Sequence, residues 1–233
     1  MSTTATAVRE RPILFSGEMV RAILAGRKTQ TRRIVKPQPF PADRGPGALI
    51  PTHEGDWIWP YPGGGPSFRV SCKPNGPDGW NEFCPYGRVG DRLWVREKFT
   101  LPPGEKTSKW TQRAQDGVNY AANGDFYDDG RIVRSSIHMP RWASRLTLEV
   151  TDVRVQRVRE ISEGDAIAEG MKFLGGMADN YDEAPWADPG DPAEFAWRWA
   201  RGAFAAAWKR INGDGSWESN PFVWAITFKR VDQ

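Results

Sequence analysis

Only four segments of this 233-residue chain keep an apolar period, and long stretches rich in Pro, Gly and Trp separate them. No repeat at solenoid spacing links the segments. They are therefore read as one compact α+β core, with residues 38–86, 99–143 and 172–198 as insertions and residues 1–10 as a flexible N-terminus. The core proper spans residues 11–231.

Each segment carries its own stop signals. In the first, Ile13, Leu14 and Phe15 read as a short strand, Ser16 as an N-cap, and Met19, Val20, Ile23 and Leu24 as neighbouring helical faces ended by Gly26. RKTQTRRIV then turns into a strand. In the second, Gly90-Asp91 marks a turn, after which Leu93 and Val95 point one way and Trp94 and Arg96 the other. In the third, Leu146, Leu148 and Val150 alternate, but the apolar phase passes to Val153 and Val155. That change predicts a bulge at Thr151-Asp152. Ser162 with Asp165 three residues on resembles a capping box, with Ile161 stapling to Ala166 and Gly170 ending the short helix just after Glu169. The fourth segment predicts a helix over 193–211 with Ala196, Ala200, Phe204, Trp208 and Ile211 on one stripe, ended by Asn212-Gly213. The closing strand sets Phe222, Trp224, Ile226 and Phe228 on one face and is expected to be central in its sheet.

Composition narrows the function classes. The hydrophobic fraction is 39% and becomes an ordinary globular value once the 24 Gly are counted in, so wholesale disorder is not expected. No stretch approaches the ~20 apolar residues of a membrane span. Arg9, Glu10 and Arg11 stand where a secretory signal would have its apolar stretch, so a cytoplasmic protein without membrane contact is expected. The 2 Cys (Cys72, Cys84) and 2 His (His53, His138) have no short ligand spacing, so neither a zinc site nor any other metal or cofactor is expected. The two Cys read as reduced thiols. The same scarcity counts against a histidine base and leaves acid–base work to Lys, Asp, Glu or Tyr.

Charge is unevenly spread. Residues 27–36 hold five bases (Arg27, Lys28, Arg32, Arg33, Lys36) and no acid, whereas residues 178–195 hold six acids and no base. The basic run suits phosphate contacts, with Trp94 and Arg96 on a neighbouring strand as a stacking plane; the plainer reading is a solvated charged strand. Lys28 and Thr31 also have the residue types of a hydroxyl nucleophile with an amine base. Lys28 would need a lowered pKa, which like charge from Arg27, Arg32 and Arg33 favours. Residues three apart on a regular strand face opposite ways, so the pair converges only if a turn intervenes.

The segments MVRAILAGRKTQTRR, GDRLWVRE, RLTLEVTDVRVQRVREISEGDAIAEGM and AFAAAWKRINGDGSWESNPFVWAITFKRV together resemble the ASCH domain family of the PUA-like superfamily, in the longer form found in tailed phages and prophages. The resemblance covers residues 11–37, 87–98, 144–171 and 199–231. It implies a small mixed β-barrel of about five or six strands with flanking helices and long loop insertions. It also implies recognition of RNA, DNA or a modified nucleoside, in the host cytoplasm if the chain is phage-encoded. In the small ASCH enzymes that hydrolyse N4-acetylcytidine, the motif GRKTxT supplies a lysine proton acceptor and a threonine nucleophile, and a later glutamate donates a proton. The matching residues are Lys28, Thr31 and Glu169, with Arg33 facing the substrate. Other family members are metal-dependent ribonucleases or non-catalytic nucleic-acid binders, and both remain alternatives. The residues do not set the oligomeric state.

Overall fold

The computed structural model describes residues 7–36, 38, 50–51, 57–59, 68–70, 84–101, 118–124, 133–173, 186–187 and 200–231. The expected acidic stretch 178–195 lies outside them save for residues 186–187, as do Cys72, His53 and residues 1–6.

In chain order the elements are β1 (Glu10–Leu14), α1 (Gly17–Leu24), β2 (Gln30–Ile34), β3 (Ile50–Pro51), β4 (Trp57–Trp59), β5 (Phe68–Val70), β6 (Arg92–Arg96), β7 (Phe99–Thr100), β8 (Asn119–Tyr120), β9 (Val133–Arg134), β10 (Thr147–Arg157), α2 (Glu163–Ala168), β11 (Lys172–Phe173), β12 (Trp186–Ala187), α3 (Ala200–Asn212) and β13 (Phe222–Val231), with short 3-10 turns between some of them. The fold is mixed α+β. Its main sheet has five strands in the order β1-β6-β10-β13-β2. The β1–β6 pair is parallel and the other ladders are antiparallel. The three expected insertions contain small sheets of their own, β3-β4-β5, β8-β7-β9 and β11-β12.

Strand alternation and the bulge together decide what each face buries. The register shifts between Val150 and Asp152. Leu148, Val150 and Val153 thereby stay on one face with Leu93, Val95, Trp224, Ile226 and Phe228, against Phe15 and the Val20 and Ile23 side of α1. Without that extra residue, Val153 would turn away from the core. The opposite face, at the β13–β2 end, is covered by α2 and α3. There Val158, Ile161, Ala166, Phe204, Trp208 and Val223 form a second core. β13 is interior, flanked by β10 and β2, although β10 occupies the middle of the order.

Local signals at the helix starts act as expected, with two differences. Ser16 Oγ accepts from Met19 N, and Ser162 Oγ accepts from Asp165 N. The reciprocal half of the second box is missing, because the Asp165 carboxylate is turned toward Arg32. In α3, Ala200, Ala203, Phe204, Ala207 and Trp208 are buried while Ile211 is 55% exposed, so the buried stripe leaves the expected line at the last turn. Residues 193–199 of that expected helix lie outside the described residues. At the N-terminus the chain is tied down earlier than expected. Arg9 N donates to Asp91 Oδ1 at 3.1 Å, and Glu10 of β1 lies opposite Arg92 of β6 in the ladder.

β1 and β2 are the two edges of the main sheet, and among the described residues no backbone ladder joins them. A side chain does: Arg33 Nη2 on β2 donates to the Leu14 carbonyl on β1 at 2.5 Å.

Candidate active site

The turn between α1 and β2 brings two of the sequence-predicted residues, Lys28 and Glu169, into contact. At Gly26 the chain adopts φ +71°, which a side chain tolerates poorly. Arg27 N and Lys28 N then both donate to Ala22 O, at 2.9 and 3.1 Å. Thr29 N donates to Ala168 O at the end of α2, and Thr29 O accepts from Phe228 N on β13. Lys28 is thus held in an irregular turn at the meeting of α1, α2 and β13. The regular strand begins two residues later, so the opposite-face rule does not apply to Lys28 and Thr31.

The Lys28 side chain has 0% exposure, and its ammonium has an acceptor for each of three protons. Nζ donates to Gln30 O, Glu169 O and Glu169 Oε2, each at 2.8 Å. Glu169 reaches it from the C-cap of α2, and Gly170 makes the approach close. With φ +96°, a Cβ on Gly170 would stand 3.1 Å from Lys28 Cβ and 3.3 Å from Ala22 Cβ. Burial pushes the Lys28 pKa below the ordinary lysine value. The attraction of Glu169 opposes this without cancelling it, and Arg33 and Arg32 add to the lowering. Arg27 is exposed and is not among these influences, contrary to expectation.

Thr31 faces the same side of β2 as Arg33, since both pair with core-facing residues of β13, Ile226 and Trp224. The Arg33 guanidinium lies 5.3 Å from the Phe15 ring centroid, and Lys28 Nζ lies 5.7 Å from the same centroid. Lys28, Thr31 and Arg33 are therefore on the Phe15 side of the strand. Thr31 is itself buried.

Arg32 points to the other face and is not the phosphate contact expected of it. Its side chain is fully buried; Nη2 donates to Asp165 Oδ2 at 2.9 Å and Nη1 to Glu169 Oε1 at 3.3 Å and Gln30 Oε1 at 2.5 Å. Asp165 also accepts from Gln30 Nε2 and Arg154 Nη2. Burial raises the Asp165 pKa, but Arg32, Gln30 and Arg154 together outweigh it, so the carboxyl sits below its ordinary value.

Sequence reasoning missed Asp165, Gln30 and Arg154. The signal was present for Asp165: it precedes Glu169 by four residues, which places both carboxylates on one side of the α2 turn. Reading it as a capping-box acid concealed it.

Trp94 and Arg96 do not belong to this cluster. β10 and β13 separate their strand from β2. Both point away from the Leu93–Val95 core, with the Arg96 guanidinium 5.3 Å from the Trp94 ring and donating to Met139 O and Ile137 O. Among the described residues, no group of three or more His, Cys, Asp and Glu could hold a metal ion. Cys84 is a free thiol, and burial pushes its pKa up to about 11. Among the described residues, no helix is long and apolar enough to cross a membrane.

Compared with models of protein families, with curated proteins and with solved structures, the chain finds no match.

Proposed function

We propose that the chain is an ASCH-type protein that recognises a modified nucleoside and hydrolyses the amide of an N4-acetylcytidine-like substrate. The observation that carries this reading is the buried 2.8 Å contact between Lys28 Nζ and Glu169 Oε2. A proton passing along it turns an ammonium–carboxylate pair into a neutral amine and a neutral acid with no change in net charge. Those are the base and the acid that amide hydrolysis requires. The Arg33 bridge from β2 to β1 supports the finer reading of the sheet as a PUA-like barrel closed on that side by a side chain.

In the proposed reaction the Thr31 hydroxyl gives its proton to the Lys28 amine while Oγ bonds to the acyl carbon. Arg33, whose Nε is buried and without a hydrogen-bond partner, stabilises the oxyanion in this scheme. As the carbon–nitrogen bond breaks, Glu169 delivers its proton to the departing cytosine amine. Water then attacks the Thr31 ester, releasing the carboxylic acid and restoring the hydroxyl. A base within RNA or DNA would have to be flipped out to reach the site, whereas a free nucleoside would enter directly.

The test is chromatography of purified protein incubated with N4-acetylcytidine and other N4-acylated cytosines, beside Lys28→Ala and Glu169→Ala. Release of cytidine or cytosine by wild type, and by neither folded variant, is expected; no turnover on any substrate refutes the reading. A non-catalytic nucleic-acid binder is the second reading, favoured by the Trp94–Arg96 stack lying apart from the Lys28 cluster. Filter binding to RNA and DNA across a salt series, with Trp94→Ala, measures it.

A further inference from the structure

Asp165 takes no part in the proposed chemistry, yet an unbroken series of alternating charges joins it to the reacting pair. Arg154 lies 3.0 Å from Asp152 and 3.3 Å from Asp165; Arg32 lies 2.9 Å from Asp165 and 3.3 Å from Glu169; Lys28 lies 2.8 Å from Glu169. Side-chain exposure falls along the series, from 49% at Asp152 and 38% at Arg154 to 19% at Asp165, 0% at Arg32, 5% at Glu169 and 0% at Lys28. The surface end is therefore screened by water, and the inner end is not.

Arg32 has one charge and two carboxylates, and its shorter contact is to Asp165. When Glu169 takes the proton from Lys28, Arg32 loses one of its counter-ions. A buried guanidinium left without any would be costly, so a site with Glu169 alone would resist the transfer. Asp165 removes that resistance by remaining ionised beside Arg32. We propose that Asp165 is a positioning residue that holds Arg32 as its own counter-ion and so allows Glu169 to accept the proton of Lys28. This inference rests on the reading of Lys28 and Glu169 as base and acid.

Every packed element contributes to the environment of Arg32. Besides Asp165 and Glu169 from α2, these are Gln30 on β2, Thr227 on β13 through Gln30, Arg154 on β10 through Asp165, and the Phe204 ring of α3 at 5.8 Å. Lys28 and, at Lys28, Arg33 complete the set. Among the described residues, Asp165 and Glu169 are the carboxylates that touch Arg32 directly, and Asp152 reaches the set only through Arg154.

The decisive variant is Asp165→Asn, which keeps shape and removes charge. Loss of a negative charge makes both proton losses of the Lys28–Glu169 pair easier, so both limbs of the pH–rate profile move to lower pH, by about one unit. The turnover number at the optimum falls more than KM changes, and Asp165→Glu restores the limbs. Arg154→Gln shifts the limbs the opposite way, by less, and the shift disappears at high salt. The titration of Lys28, followed by NMR on protein with 13C-labelled lysine, reads the same displacement without any substrate. It therefore decides the inference even if no substrate is turned over. A folded Asp165→Asn protein with reduced rate but unmoved limbs, or with an unmoved Lys28 midpoint, overturns the proposal. If Asp165→Asn does not fold, Arg154→Gln at low salt carries the test, and an unmoved Lys28 midpoint overturns the proposal there too.

Discussion

Replacing Glu169 with Leu leaves Lys28 as a buried ammonium without a counter-charge. The structure sets the scale: the side chain is fully enclosed, the variant removes one of three acceptors of Nζ, and Gln30 O and the residue-169 carbonyl remain. Breaking a buried pair from one side costs about 3–5 kcal/mol, a large share of the ~5–15 kcal/mol that stabilises a typical domain. Adding Lys28→Met removes the stranded charge, so the double variant should recover to within about 1 kcal/mol of wild type, which sets the coupling energy at about 2 kcal/mol or more. The single variant also acquires a distinctive pH dependence. With Glu169 gone, burial, Arg33 and Arg32 all lower the Lys28 pKa below its unfolded value of about 10.4. Between the two pKa values the unfolded chain binds more protons than the folded one, so stability rises with pH in that window. Urea denaturation at pH 7 and at about pH 9.5 reads both effects. A Glu169→Leu cost below about 1 kcal/mol, or a double variant whose losses simply add, would refute the claim that the pair shares one buried charge balance.

Three further outcomes test separate parts of the structure. Gly170→Ala combines a left-handed backbone with a Cβ pressed on the Lys28 stem, so thermal unfolding should show a loss of about 1–3 kcal/mol. The depressed Asp165 pKa stabilises the fold above its unfolded value of about 3.9, and this is lost as pH falls through the folded value. The stability gap between wild type and Asp165→Asn should accordingly close in urea melts taken at progressively lower pH below about 4. Cys84 is 3% exposed with its thiol pKa pushed up to about 11, so it should resist iodoacetamide at neutral pH in native protein and react after unfolding in urea, as peptide mass spectrometry will show.

Strands and caps were legible because each rests on a local pattern. The Thr151-Asp152 bulge follows from a phase change in apolar alternation, and the Ser16 and Ser162 caps from a hydroxyl placed before a helical period. The pairing order of the strands was not legible, since nothing local tells Arg33 that it will meet Leu14 O on β1. For the same reason Trp94 and Arg96 were grouped with the basic run that the sheet keeps apart from them. Within the candidate site, the motif GRKTQT and Glu169 could be nominated, but their contact joins positions 141 residues apart and depends on how α2 docks beside the α1–β2 turn. Charge counting also misled: Arg32 looks like a surface base in the sequence, whereas two carboxylates from α2 hold it inside.

Thr31 is the proposed nucleophile, activated by the Lys28–Glu169 pair. Its most direct test is turnover of N4-acetylcytidine by folded Thr31→Ala and Thr31→Ser beside wild type. Serine keeps the hydroxyl and should retain measurable release of cytidine, while alanine should lose about 10⁴-fold or more in kcat. A Thr31→Ala protein that works within tenfold of an active wild type would contradict the assignment of Thr31 as nucleophile.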